Sequence, residues 1–217
     1  MTLDPVGQAI HIDFDKWERR ELFTFFDSFT EPFHGICLRV DCTKAFRYAK
    51  DHRLSVFLTL LHSSLVAAHR VGNFMMRSVD GEILRYRIIH GGSAVARPNG
   101  TIGFGYYSFR SDVHSFVREA AVEIESVKES SELVRYPRQD LIRYSVLPWL
   151  DFTSLSHARD LSTKDSTPRI TFGKITHSNG HTTMPVSIHV HHGLVDGEHV
   201  ARFVELFEQA LAAPDSA

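Results

Sequence analysis

The stretch VSIHVHHGLVDGEHVARFVELF, residues 186–207, decides the fold, because a strand pattern and a helix pattern meet in it across one short turn. The residues up to His192 continue an alternating run that predicts a strand. From 198 to 212 apolar residues recur at the spacing of an amphipathic helix, namely Val200, Phe203, Val204, Phe207 and Leu211. Asp196-Gly197 opens this helix, and a carboxylate is favoured at a helix N-terminus.

Three histidines crowd into four positions of this stretch, and three interpretations compete for them. Strand alternation places His189 and His191 on one face and His192 on the other. The first two could chelate zinc, but a third ligand must come from elsewhere, and no second cluster of ligands stands out in the chain. A polar strand end without a chemical role is the second interpretation. The favoured one is that His192, held beside the turn, removes a proton from a hydroxyl or thiol.

Composition limits the class of protein. The 217 residues, 43% apolar and 11% aromatic, are enough for one sizeable core. A net charge of -2 with interspersed charges gives no electrostatic reason to expect a nucleic acid or membrane partner. Cys37 and Cys42 are the only cysteines and are interpreted as reduced, buried thiols. The N-terminus does not resemble a secretory signal, and no apolar run approaches the ~18 residues of a membrane helix, so we expect a cytoplasmic protein.

The other elements follow from local patterns. Residues 14–29 predict a short helix with an aromatic-rich loop, 35–43 a strand, 55–69 a buried helix capped by Ser55, and 111–128 an amphipathic surface helix. Asp80-Gly81 and Ser178-Asn179-Gly180 each predict a hairpin. Prolines 137 and 148 break residues 133–155 into loop and short strand. The chain therefore predicts one α+β domain over residues 1–217, with a mostly antiparallel or mixed sheet carrying helices and with tails at 1–11 and 213–217.

Several motifs together resemble those of a known family. HHGLVDGEHVARF, from His191, is similar to the HHxxxDG signature of the chloramphenicol acetyltransferase family, whose short form is shared by other acyltransferases. YSVLPWLDFTSL (144–155), TPRITFGKI (167–175) and FDKWERRELFTFF (14–26) resemble three further blocks of that family, in the same order. The resemblance covers about residues 12–211. It implies a two-layer α+β sandwich, in which helices flank a mixed sheet, and an acetyl-CoA-dependent O-acetyltransferase.

The resemblance also implies roles for individual residues. His192 would be the general base that deprotonates the acceptor hydroxyl as it attacks the thioester. Ser145 would donate a hydrogen bond to the oxyanion of the intermediate, and Thr171 would assist through a bound water. Asp196 would pair with Arg19 and support the site, so that no Ser-His-Asp triad is formed.

Binding positions are carried over in the same way. Trp149 and Lys174 match positions near the pantetheine and phosphate end of coenzyme A, whereas Ile175 replaces an aromatic residue. The positions of the acceptor pocket that hold the ring of chloramphenicol in the family are occupied here by Phe26, Thr30, Pro32, His34, Leu155, His157 and Arg169. Buried polar groups are unfavourable unless they are satisfied, so this set indicates an acceptor that is chloramphenicol or a more polar alcohol. Antibiotic resistance and ordinary metabolism are both compatible with these residues.

The family assembles as a homotrimer, and the resemblance implies the same here, with His192 from one subunit and most of the acceptor pocket from its neighbour. No metal is expected in this mechanism. Two alternatives of other classes stay open. The chain could be a catalytically weak family member that binds a small molecule, or a metal-binding protein that uses His189, His191 and a further ligand.

Overall fold

A computed structural model describes residues 9–133 and 138–215 of the chain. Within these ranges, ten strands run in the order β1 (Ala9–His11), β2 (Phe33–Asp41), β3 (Met76–Val79), β4 (Glu82–Tyr86), β5 (His90–Ala96), β6 (Ile102–Tyr107), β7 (Leu141–Val146), β8 (Arg169–Phe172), β9 (Thr176–Ser178) and β10 (His181–His191). Five α-helices accompany them: α1 (Arg20–Asp27), α2 (Thr43–Asp51), α3 (Val56–His69), α4 (Val113–Glu129) and α5 (Gly197–Ala212).

The larger sheet has seven strands in the order β2-β10-β8-β7-β5-β6, with β9 paired to the start of β10. The β5–β7 and β7–β8 pairs are parallel and the other pairs are antiparallel, so the sheet is mixed. A smaller sheet, β1-β4-β3, is antiparallel throughout. The predicted α+β architecture, a mixed sheet flanked by helices, is confirmed.

Alternation along β10 explains how the layers form. Val186, Ile188 and Val190 are buried and belong to the same core cluster as Phe203 and Phe207 of α5. Helix α3 packs against both α4 and α5, and the three helices contact the sheet at β2, β5 and β6. The residues that alternate with these valines and isoleucine on β10 point to the opposite side of the sheet. The loop from 147 to 168 partly covers that side, and most of the polar residues described below lie there.

The turn chemistry agrees with the predictions. Asp80, Gly81, Asn179 and Gly180 all adopt positive φ, between 49° and 86°. Two such residues in succession form the tight turns that join antiparallel strands, so both predicted hairpins are confirmed. The Ser55 hydroxyl accepts a hydrogen bond from the Leu58 amide and caps α3, as predicted.

Some boundaries differ from the predictions. The expected tail over residues 1–11 is wrong for Ala9–His11, which form β1 because their amides and carbonyls pair with β4. The short helix with an aromatic-rich loop predicted over 14–29 is present as α1, but a separate 3-10 turn at 14–16 precedes it. Cys42 is fully buried, but Cys37, expected to be buried, is only half-buried because it lies on the edge strand β2. Pro137 and the end of the C-terminal tail lie outside the described residues.

Candidate active site

The first part of the candidate site is the turn that follows β10. The amide of His192 donates to the carbonyl of Pro32 over 2.8 Å, and the amides of Leu194 and Val195 donate to the carbonyl of His191. The Asn73 side chain donates to the carbonyl of Leu194 over 2.8 Å. These bonds fix the backbone of the turn and therefore the position from which the His192 side chain projects.

The His192 ring lies in an aromatic stack. The Phe26 ring is parallel to it within 5°, with 4.0 Å between centroids, and the His34 ring lies 4.2 Å away at 33°. His34 Nε2 is 3.1 Å from the carbonyl oxygen of Val195, so this imidazole is tied to the same turn. Burial lowers the pKa of His34, which favours its neutral form beside His192. The Nδ1 atom of His192 is buried and has no hydrogen-bond partner within residues 9–133 and 138–215.

An ion pair braces the turn from the N-terminal segment. Arg19 Nη1 lies 2.8 Å from Asp196 Oδ2, and Arg19 also donates to the carbonyls of Gly193 and His192 over 3.4 and 3.5 Å. Asp196 caps α5 and exchanges hydrogen bonds with His199 in a capping box. Burial alone would raise the pKa of Asp196, but the bonds from Arg19 and His199 outweigh it and lower that pKa to about 2. The predicted Arg19–Asp196 pair is present in the structure, and neither residue bonds to the His192 ring.

The second part of the candidate site is a row of hydroxyl-bearing residues across three strands of the larger sheet. Ser145 on β7 is paired with Thr171 on β8, which is paired with Ser187 on β10. Thr171 and Ser187 are fully buried, and Thr171 Oγ1 lies 3.2 Å from His157 Nε2 in the covering loop. Burial, with smaller contributions from His189 and Arg169, lowers the pKa of His157 to about 4, so its imidazole is neutral at pH 7.

A second row lies next to this hydroxyl row on the same face. Arg143, Arg169 and His189 are paired across the same three strands, each two residues from the hydroxyl-bearing residue of its own strand. Strand geometry therefore puts the two rows ~7 Å apart. Arg143, Ser145 and Arg169 of these rows, together with the loop, border a cavity of about 530 Å³. Sequence reasoning missed Arg143 and Ser187, although the repeated pattern of a basic residue two before a hydroxyl, in Arg143–Ser145 and Arg169–Thr171, could have indicated the paired rows.

The two parts of the site are far apart within one chain. Ser187 marks the hydroxyl row on β10, and His192 lies five residues further along, which corresponds to roughly 16 Å of strand. The His192 ring also contacts His34, which lies on the side of β2 that carries Ile36 and Leu38 against the helix-covered core. The structure thus separates His192 from Ser145 and Thr171 in a single chain.

The residues predicted to bind the acceptor divide in the same way. Phe26 and His34 contact His192 of the same chain, whereas His157 and Arg169 border the cavity beside Thr171. Thr30 and Pro32 line a smaller cavity of about 170 Å³ next to His191 and Asp27. Leu155 is half-buried in the covering loop.

The predicted coenzyme A residues lie together at one end of the sheet. Trp149 is 75% exposed, and the amide of Lys174 donates to the carbonyl of Leu150 over 2.8 Å, so the two segments are joined. The Lys174 side chain is exposed, and Ile175 packs against the core. An aromatic ring and an ammonium group are therefore presented to solvent on adjacent segments.

The histidines suggested as metal ligands do not converge. His189 Nδ1 lies 3.1 Å from Ser187 Oγ, while His191 Nδ1 accepts from the amide of Gly193 over 3.2 Å. No group of three His, Cys, Asp or Glu residues able to hold a metal ion occurs among the residues that the structure describes. In that same part of the chain, no helix combines the length and the apolar character needed to cross a membrane.

Comparison with known proteins identifies the class. Residues 8–208 match the family model described as chloramphenicol acetyltransferase. The chain is 26% identical over 196 residues to a chloramphenicol acetyltransferase of Bacillus pumilus, covering 88% of each chain, and 23% identical to one of Proteus mirabilis, covering 91% of this chain and 92% of that one. A solved chloramphenicol acetyltransferase structure superposes with a TM-score of 0.86 at 29% identity, covering 94% of this chain and 99% of that one.

A more distant likeness extends to a dihydrolipoamide acetyltransferase of Azotobacter vinelandii. Its structure superposes with a TM-score of 0.62 at 19% identity, covering 84% of this chain and 82% of that one, which shows a shared fold. The fold and the family match define the chain as an acetyltransferase. It belongs to the chloramphenicol acetyltransferase family.

Proposed function

We propose that the chain is an acetyl-CoA-dependent O-acetyltransferase in which His192 acts as the general base. The observation that carries this proposal is the state of the His192 imidazole. Its ring is fixed between Phe26 and His34, and its backbone is bound by Arg19. The ring is half-buried: Nδ1 is enclosed and has no hydrogen-bond partner within the described residues, so Nε2 is the nitrogen open to a ligand. An imidazole that is held in place with one nitrogen open can accept a proton from a bound hydroxyl.

In this proposal, the acceptor hydroxyl loses its proton to His192 as its oxygen attacks the thioester carbonyl of acetyl-CoA. The carbon–sulfur bond then breaks, and the thiolate of coenzyme A takes the proton from His192, which regenerates the base. Ser145, which lies at the edge of the cavity, would donate a hydrogen bond to the oxyanion of the tetrahedral intermediate. Trp149 and Lys174 would contact coenzyme A.

We also propose that the active site is shared between copies of the chain in a homotrimer. Support comes from the separation of roughly 16 Å along β10 between His192 and the hydroxyl row of one chain. A base and an oxyanion donor must both touch the reacting atoms, within about 3 Å each. A second copy must therefore supply one of the two, which is what an oligomer with sites at its subunit boundaries achieves.

The acceptor in this proposal is a small molecule with a hydroxyl group, either chloramphenicol or a more polar alcohol. The second candidate function is binding of a small molecule without turnover, and the neutral His157 against Thr171 is compatible with it, because this contact also fits a cavity that only binds. The two candidates differ in whether thiol is released.

The test is release of free thiol from acetyl-CoA in the presence of chloramphenicol or other alcohols, with wild type, His192→Ala and His11→Ala. His11 is exposed and lies on β1, away from both parts of the site, so its variant controls for loss of an imidazole. We expect His192→Ala to lose ~10²–10⁴-fold in rate and His11→Ala to retain the wild-type rate. Thiol release at the same slow rate by all three proteins, with every acceptor, would reject the enzyme in favour of the binding protein.

A further inference from the structure

The two parallel rows on the sheet place cationic groups at a fixed distance from the hydroxyl row. Arg143 and Arg169 are direct partners across β7 and β8, and Ser145 and Thr171 are the next partners on the same face. Alternate residues of a strand lie ~7 Å apart along the backbone, and Ser145, Arg143 and Arg169 border one cavity, so a small ligand that contacts Ser145 with one end can contact the guanidinium groups with the other.

In the row formed by Arg143, Arg169 and His189, called the cationic row below, the two arginines pair with one carboxylate, that of Asp165. Arg143 Nη1 and Arg169 Nη2 each lie 2.7 Å from the same oxygen, Oδ2 of Asp165. The other oxygen of Asp165 accepts from the amide of Thr167 over 2.9 Å. Burial alone would raise the pKa of Asp165, but Arg143, Thr167 and Arg169 outweigh it and hold that pKa below its ordinary value, so the carboxylate is ionised. Two guanidinium charges thus share one carboxylate in a largely buried position.

Arg143 keeps donors available to a ligand. Its side chain is 30% exposed and borders the cavity. Within the described part of the chain, its guanidinium group makes one hydrogen bond, from Nη1 to Asp165. A guanidinium carries five N–H donors in a planar fork, which suits a carboxylate or phosphate. The remaining edge of the Arg143 fork is therefore exposed to the cavity two residues from Ser145.

A third guanidinium group lies at the edge of the cavity. Arg159, in the covering loop, stacks over the Phe33 ring at 3.5 Å from its centroid and pairs with the carboxylate of Glu31. Its Nε atom is buried and has no hydrogen-bond partner within residues 9–133 and 138–215. Glu31 and Asp160, the other acidic groups here, are exposed, so solvent screens them more than it screens the buried row.

We propose that the acceptor alcohol carries an anionic group, a carboxylate or a phosphate, which binds Arg143 and Arg169 while its hydroxyl lies at Ser145. This inference rests on the proposed acetyl transfer and names the class of acceptor. The anion occupies the free edge of the Arg143 fork, beside the carboxylate that Arg143 and Arg169 share. Charge-assisted hydrogen bonds of this kind contribute more than neutral ones, so the group also determines specificity.

The test compares two acceptors of the same chain length, one with a terminal carboxylate and one with a second, uncharged hydroxyl group in its place. Release of thiol from acetyl-CoA is measured with 5-hydroxypentanoate and with pentane-1,5-diol, using wild type, Arg143→Gln and Arg118→Gln. Arg118 lies exposed on α4 and serves as the matched control for loss of a guanidinium. We expect wild type to favour the hydroxycarboxylate about tenfold or more in kcat/KM, and Arg143→Gln to lose most of this ratio through a higher KM. Arg118→Gln keeps the ratio.

The outcomes separate the class of acceptor from acetyl transfer itself. Equal use of both acceptors by wild type, or an unchanged ratio in Arg143→Gln, would overturn the anionic acceptor and leave acetyl transfer standing. If Arg143→Gln loses rate equally with both acceptors, Arg143 only supports the fold, and the inference is again rejected. If no acceptor releases thiol, the anion site is tested by calorimetric titration with glutarate. Binding by wild type that is lost in Arg143→Gln establishes the anion site without turnover. Absence of binding by wild type rejects the site.

Discussion

Separation of His192 from Ser145 in one chain predicts that two inactive variants will restore activity when they share an oligomer. The perturbation is a pair of single substitutions, His192→Ala in one chain and Ser145→Ala in another. The first variant keeps Ser145 and the second keeps His192, so a site formed between one copy of each is intact. A site formed within one chain always lacks one of the two groups.

The expected magnitude follows from how the sites are assembled. In an equal mixture, half of the histidines and half of the serines that meet at subunit boundaries are wild type, so about a quarter of the sites carry both. Each single substitution removes a base or an oxyanion donor and lowers the rate ~10²-fold or more. Recovery to about a quarter of the wild-type rate is therefore well above the residual activity of either variant.

The assay is thiol release by co-expressed, co-purified chains that carry different affinity tags. A mixture of separately folded and purified oligomers of the two variants serves as the control, since their subunits have not been exchanged, and at equal total protein it should show the mean of the two residual rates. Light scattering on the same samples measures the number of chains in the particle. If the co-expressed sample shows only the mean of the two residual rates, the site lies within one chain and the reasoning from strand register is wrong.

Three further predictions test the turn and the buried groups. Gly193→Ala places a Cβ 2.9 Å from the Phe23 Cα, which should cost about 1–3 kcal/mol in chemical denaturation and reduce activity, whereas Gly197→Ala meets nothing within 4 Å and should be neutral. The pKa of Asp196 in the folded state is about 2, below its ordinary value, so its ionised form stabilises the fold by about 1–2 kcal/mol above pH 4. This stabilisation is lost as the pH falls towards 2, and the thermal stability of Asp196→Asn should change less than that of wild type over this interval. Burial lowers the pKa of His191 to about 4, so this group reduces stability progressively as the pH falls from 6.5 to 4, and His191→Phe should lose less thermal stability than wild type over that interval.

The parts of the fold that could be predicted from sequence are those set by local chemistry. Asn179 and Gly180 both adopt positive φ, a conformation that Asn-Gly favours and that a two-residue hairpin turn requires. The Ser55 cap and the apolar period of α5 are equally local. Strand β1, by contrast, consists of three residues, and only pairing with β4 makes it a strand, so no pattern within it predicts the pairing.

The predicted site residues could be named but not arranged from the sequence. The Arg19–Asp196 contact joins residues 177 positions apart and follows from family resemblance. The rows of Ser145 with Thr171 and of Arg143 with Arg169 depend on the register of two parallel strands, which are separated by the long covering loop. Register between distant strands is set by the packing of the whole sheet, so sequence alternation gave the face of each residue and not its neighbour.

Acetyl transfer with His192 as the base is tested most directly through the chemical product of the reaction. Wild type and His192→Ala are incubated with acetyl-CoA that carries an isotope-labelled acetyl group and with an acceptor that supports thiol release, and the acceptor is analysed by mass spectrometry. If His192 is the base, wild type forms a labelled acetyl ester on the acceptor hydroxyl, and the variant forms it at least ~10²-fold more slowly. Formation of the ester at the same rate by both proteins would contradict the assignment of His192 as the base.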